Sequence, residues 1–352
     1  MRSSLWGRVL SAAVFAIAAG APAARAQRRP PHPTPIGQPS ARSAILLAVS
    51  NEASHNITII DGATLRVLRT IPVPYRPRGI QFTPDGKTIF VAICDDIPNV
   101  QSAGDAILAI DATTGKTVAR YESGTNPERF ALTPDGKRLY ASNEDAGRAS
   151  EISLKTGKVV ATLIVGIEPE GVAVSPDGRW VYVTAETSNS VSVIDTRVNK
   201  VVANFLVDVR PRAVVFSRDG KRAYVSAEIG GTLTVVDAKK HQPIKTIRLG
   251  RGENKPVGIA LSPDGRWIYV ANGAANSVSI VDAKLEREIG TIPVGKRPWG
   301  IAISADGRTL YTADGISDQM SVIDVASRRV TARVKVGSRP WGVAVSPSIP
   351  VK

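Results

Sequence analysis

The chain has 352 residues, 43% hydrophobic but only 5% aromatic, with a formal charge of +14 and one cysteine, Cys94. A single cysteine excludes an intramolecular disulfide and every Cys-x-x-Cys metal or haem-attachment motif, and three histidines scattered at positions 32, 55 and 241 make a metal centre a poor fit. The positive charge favours anionic surfaces, yet without a Lys/Arg run it reads as spread over solvated turns, with no nucleic acid as partner.

Residues 1–26 read as a secretory signal: Arg2 and Arg8 precede the apolar run Val9–Gly20, and Ala24-Arg25-Ala26 offers a cleavage site. Loss of Arg2, Arg8 and Arg25 would lower the charge to +11. The apolar run is too short to span a bilayer stably, so no transmembrane segment is expected. Residues 27–43 form a Pro/Arg-rich linker in which no packed structure is expected. The protein is expected to be periplasmic or secreted, and monomeric.

From residue 44 to 347 the chain repeats. Prolines 77, 127, 169, 211, 256, 298 and 340 share one frame, clearest in Arg297-Pro-Trp-Gly and Arg339-Pro-Trp-Gly, at spacings of 50, 42, 42, 45, 42 and 42 residues. A period in the low forties built from short strands predicts propeller blades, none of which can bury its faces alone. Each copy reads as four strands. A Pro-x-Gly strand ends in a Ser-Pro-Asp-Gly turn such as Ser175–Gly178, where Pro presets φ and Gly supplies φ > 0. The second strand carries Tyr or Phe followed by Val, as at Tyr182-Val183. The third ends in Asp at positions 61, 111, 195, 237, 282 and 324, with Ser153 in the remaining copy. A fourth strand of the Val67–Val73 type follows.

The N-terminal copy lacks a Pro-x-Gly strand, and the C-terminal copy has only that strand, Gly342–Ser346. Together they make one blade. The prediction is an all-β, single seven-bladed propeller of four-stranded antiparallel blades, closed by pairing the N-terminal strands with the C-terminal one, followed by a tail at 348–352. Closure hides the exposed edges.

Tyr182-Val-Thr, Asn272-Gly and the repeated Ser-Pro-Asp-Gly resemble the YVTN-type β-propeller repeat. Asn126-Pro-Glu-Arg-Phe130, Glu168-Pro-Glu-Gly171, Arg210-Pro-Arg212 and Ala227-Glu-Ile-Gly-Gly231 resemble an exported subgroup associated with pyrroloquinoline-quinone-dependent alcohol catabolism. That resemblance implies an accessory protein beside quinoprotein dehydrogenases or transporters, with no catalytic residues to carry over. The expectation is therefore a non-catalytic binding protein without a cofactor. The alternatives are a lactonase-like hydrolase using the channel mouth and a cell-surface or adhesion scaffold.

Positions fixed in place but varying in type among the copies are the candidates for ligand contact. Around the repeat prolines these are Arg76, Arg78, Glu128, Arg129, Glu168, Glu170, Arg210, Arg212, Arg297, Trp299, Arg339 and Trp341. Loops between the second and third strands add Glu52, His55, Glu144, Glu186 and Glu228 on the same face. Both departures from the period, within 94–105 and 249–256, fall there too, as insertions on a binding face do. Trp299 and Trp341 should stand side by side as a flat pair, suited to a planar anionic ligand or a carboxylate-bearing partner loop. Hydrolysis would draw on His55 beside Glu52. Trp180 and Trp267 are assigned to packing, and Cys94 to a small buried role.

Overall fold

The computed structural model describes residues 45–95, 102 and 104–347. The expected signal, the whole linker and the tail lie outside them. Among the described residues are seven four-stranded sheets, each an antiparallel blade, and no helix.

The innermost strands are Arg76–Phe82, Pro127–Leu132, Pro169–Val174, Pro211–Phe216, Pro256–Leu261, Pro298–Ile303 and Pro340–Val345. The second strand of each blade is apolar and buried along nearly its whole length, as in Trp180–Ala185. The outermost strand alternates towards solvent, as in Lys200–Leu206. That gradient from buried to half-exposed follows from stacking blades face to face around an axis. The turns obey the predicted chemistry. Asp177 Oδ1 accepts from Ser175 Oγ and from the Arg179 amide at 3.0 Å, and Gly178 has φ 73°.

The apolar clusters form between neighbouring blades: Tyr140 of one blade packs with Val181 and Val183 of the next. The strand-two tyrosines reach still further. Tyr140 Oη donates to Asn199 Oδ1 at 3.3 Å, and Tyr182 Oη meets His241 Nδ1 at 2.7 Å, each a turn residue with positive φ. Innermost strands approach so closely that a Cβ on Gly171 would lie 2.5 Å from the Arg212 carbonyl oxygen. The Pro-x-Gly frame thus records blade-to-blade contact.

The ring closes as predicted. Leu46–Asn51 lies between Asn56–Asp61 and Pro340–Val345, with Val49 opposite Val343 and Leu47 opposite Val345. Ser346 locks the junction: its amide donates to the Leu46 carbonyl at 2.8 Å and its hydroxyl accepts from the Leu46 amide at 2.8 Å.

Candidate functional site

Backbone geometry brings the polar loops over one end of the central tunnel. The residue before the repeat proline is left-handed in six of seven blades, at Asn126, Glu168, Arg210, Lys255, Arg297 and Arg339, with φ of 45–61°. Only a well-supported backbone holds non-glycine residues there. The support is a repeated bond: their carbonyls accept the amides of Glu144, Glu186, Glu228, Gly273, Gly315 and Glu52, at 2.8–3.2 Å. Four carboxylates are thereby fixed at the mouth, and two glycines leave a gap. Ser50, Ser142, Thr184 and Ser226 add hydroxyl bonds to the carbonyls of Arg78, Glu170, Arg212 and Val257 in the following blade.

One arc of the mouth is an ion network. Arg212, with an 8% exposed side chain, bonds Glu170 at 3.1 Å and Glu228 at 2.7 Å, and also Glu186. Arg210 pairs with Glu186 at 2.7 Å and Glu228 at 3.3 Å. Arg78 holds Glu128 at 2.7 Å and Glu52 at 3.2 Å, and Arg76 also reaches Glu52. Burial alone would lower the pKa of Arg78 and Arg212, but Glu128 and Glu52 for the first, and Glu170 and Glu228 for the second, outweigh it and raise both. The Glu144, Glu170 and Glu186 oxygens lie within 4.8 Å of one another, a spacing a metal ion could use. The Arg212 guanidinium bonds two of the three, so it already supplies the cation there.

The other arc is aromatic. Val257, Trp299 and Trp341 form a buried cluster, and the indole rings stand side by side with centroids 6.3 Å apart and planes at 44°. The pair is tilted and does not make the flat surface expected. Guanidiniums of Arg212 and Arg297 lie 5.0 and 4.8 Å from Trp299, and those of Arg129 and Arg78 lie 4.4 and 5.6 Å from Trp341. Among the described residues both indole N–H groups lack a hydrogen-bond partner, and Arg297 and Arg339 pair with no carboxylate.

Between the arcs lies a cavity of about 430 Å³ lined by Glu52, Arg78, Glu144, Arg210, Arg212, Arg297, Trp299, Arg339 and Trp341, with Gly315 and Ile316 at the gap. Glu128, Glu170, Glu186 and Glu228 are buried around it as counter-ions. Three expected residues lie elsewhere. Glu168 is exposed and accepts from Thr187. His55 is an exposed turn residue with φ 49°, because that turn needs a left-handed position, and it does not line the cavity. Arg129 lies deeper, in the throat below the indoles. Cys94 is buried, its thiol pushed up to about 12 by burial.

Sequence reasoning ranked Glu144 second, yet it carries the most distinctive chemistry. Its carboxyl lies beside Glu128, which has no exposed surface. Burial raises Glu128 well above the usual carboxylate range, against the pull of Arg78. Burial and the charge of Glu170 raise Glu144 as well. Asn126 Nδ2 orients Glu144 by donating to Oε2 at 2.9 Å. The missed signal was the Asn126-Pro-Glu128 copy, the one place where a hydrogen-bonding amide precedes an acidic neighbour of the proline.

A family model described as "Lactonase, 7-bladed beta-propeller" matches residues 208–339, and one for a "Choice-of-anchor I domain" matches residues 41–207. The chain is a seven-bladed β-propeller. Its fold is similar to the periplasmic gluconolactonase of Pseudomonas aeruginosa, at 23% identity and TM-score 0.71, covering 87% of this chain and 100% of that one. It is also similar to a candidate 6-phosphogluconolactonase of Bacteroides fragilis, at 19% identity and TM-score 0.73, covering 88% and 100%. Hydrazine synthase of Kuenenia stuttgartiensis matches at 21% identity and TM-score 0.71, covering 84% and 99%, a reminder that one fold hosts unrelated chemistries. No curated protein matches the chain. The expected non-catalytic binding role is overturned by the lactonase match. The matched segment supplies Arg210, Arg212, Glu228, Arg297, Trp299 and Arg339, most of the mouth. Among the described residues no helix is long and apolar enough to cross a membrane.

Proposed function

We propose that the chain is an exported lactonase-like hydrolase whose reaction takes place in the mouth cavity. The observation that carries this reading is the Glu144 carboxylate, held by Asn126 on the cavity wall beside Glu170 and Glu186, with donors that lack partners lining the same cavity. Glu144 faces the cavity, and its raised pKa suits a general base working near neutral pH. In its ionised form it takes a proton from a water molecule as the oxygen attacks the lactone carbonyl carbon. The developing oxyanion is met by the Trp299 and Trp341 N–H groups with Arg297 and Arg339. Collapse breaks the ring C–O bond, the proton on Glu144 passes to the departing alkoxide oxygen, and a hydroxy acid is released.

The buried ion network keeps this geometry fixed while the aromatic arc leaves room for substrate. Export is supported by the Ala24-Arg25-Ala26 signal pattern and by the periplasmic relative of similar fold. The test is hydrolysis of D-glucono-1,5-lactone and δ-valerolactone by the purified protein, followed by acid release at constant pH. Turnover that disappears in Glu144→Gln while the melting temperature holds supports the reading. Turnover by neither lactone, or equal turnover by the variant, removes it.

A further inference from the structure

The seven copies permit a comparison two residues past each repeat proline. The series is Gly79, Arg129, Gly171, Ala213, Gly258, Gly300 and Gly342. Six of these positions are glycine or alanine, and they ring the narrow throat of the tunnel, a space of about 90 Å³. Arg129 is the one long side chain at that level. It interrupts an otherwise small bore.

Below the throat the tunnel widens to about 660 Å³ and opens on the face opposite the mouth. Its wall is aliphatic: Ile80, Val172, Val214, Ile259, Ile301 and Val343 each come from a different blade, and Phe130 completes the ring. Arg129 lines both this chamber and the throat, and it is the single charged side chain in the chamber's lining. Its Nε and Nη2 are shut from solvent and, among the described residues, have no hydrogen-bond partner. The nearest carboxylate oxygen, Glu170 Oε1, is 4.0 Å from Nε, beyond hydrogen-bond reach. Burial lowers the pKa of Arg129, yet an arginine keeps its charge. The side chain is 22% exposed, but two of its charged donors are buried and idle, which is costly unless something completes their bonding.

We propose that Arg129 and the aliphatic chamber beneath it form a second binding site, for a monocarboxylate with an apolar body. The carboxylate meets the idle guanidinium nitrogens, and the body fills the ring of Val and Ile side chains. The volume lies within the range of small-molecule sites. This site does not rest on the hydrolase reading: it uses the other end of the tunnel, and Arg129 meets the proposed reaction's groups only where it stacks on the Trp341 ring.

Octanoate, acetate and octan-1-ol serve as probes, titrated calorimetrically and by the fluorescence of Trp341 beside Arg129. The full chain should bind octanoate more tightly than about 1 mM, and acetate and octanol at least about tenfold more weakly. Arg129→Met should weaken octanoate about tenfold or more at unchanged melting temperature, and Arg129→Lys should restore part of the loss. Arg297→Gln/Arg339→Gln should leave octanoate affinity intact, which separates this site from the mouth. The proposal is overturned if octanoate does not bind at about 1 mM, or if acetate binds equally well. It is also overturned if the folded Arg129→Met protein binds octanoate like the parent, or if the mouth double variant loses it.

Discussion

The two arcs of the tunnel mouth are built on the same backbone and differ only in which side chains the repeat presents. On the charged arc, Glu144, Glu186 and Glu228 hang from the left-handed carbonyls of Asn126, Glu168 and Arg210; Glu186 and Glu228 are tied into Arg210 and Arg212, and Glu144 is held by Asn126 Nδ2. On the aromatic arc the equivalent loop positions are Gly273 and Gly315, and the ring residues are Val257, Trp299 and Trp341. One arc is cross-linked by ion pairs, although Arg78 Nε, Glu128 Oε1 and Glu170 Oε1 keep no hydrogen-bond partner among the described residues, whereas the other presents two indole donors without acceptors and no carboxylate. The same repeat backbone thus carries an ion-paired side and an aromatic side without a change of fold.

Breaking the charged arc should have the largest effect. Arg212→Met strands Glu170, Glu186 and Glu228 around an apolar side chain, and loss of one partner from a buried ionic cluster costs about 3–5 kcal/mol. Calorimetric melting should show a drop of several degrees; a protein melting like the parent would mean the network carries little stability.

The next effect is catalytic. Removing the proposed base by Glu144→Gln should lower lactone turnover about 10²–10⁴-fold, with the melting temperature unchanged or raised, since a carboxyl beside Glu170 is neutralised.

On the aromatic arc, Trp299→Leu/Trp341→Leu keeps an apolar plug but removes both N–H donors. Turnover should fall about 10²-fold or more, while stability drops by about 1–3 kcal/mol for lost contacts. Stability alone changing would make the indoles a plug only.

The smallest effect belongs to the rim. Arg297→Gln should alter stability by no more than about 0.5 kcal/mol, because its side chain is exposed and makes no ion pair among the described residues, and should lower kcat for lactones less than the indole double variant does.

The fold was legible because it is written seven times. Spacing, Asp-Gly turns and the incomplete terminal copies specify blades and closure, and each repetition corrects the noise of the last. The mouth was legible as a face, since loops after the fourth and second strands must meet there. The role of each side chain was not. His55, named as the histidine a hydrolase would draw on, occupies a left-handed turn position held by Asn189, Asn276 and Asp318 in other blades. Glu128 lies on the innermost strand of its blade and Glu144 just past the second strand of the same blade, so their closeness is set by how those side chains pack at the mouth, which residue spacing does not encode. Arg129 could have been found from the sequence, as the one arginine in a column of glycines and an alanine.

The most direct test of the central claim is the pH dependence of lactone hydrolysis. Glu144 acts as a base only when ionised, and burial with the neighbouring Glu170 raises its pKa. The rate must therefore climb with pH through a limb above the ordinary glutamate value of about 4.3. Glu144→Gln must abolish that limb along with the turnover. A rate limb at the ordinary value, or one that persists in the variant, would contradict the assignment of Glu144 and with it the account of the mouth as a hydrolytic site.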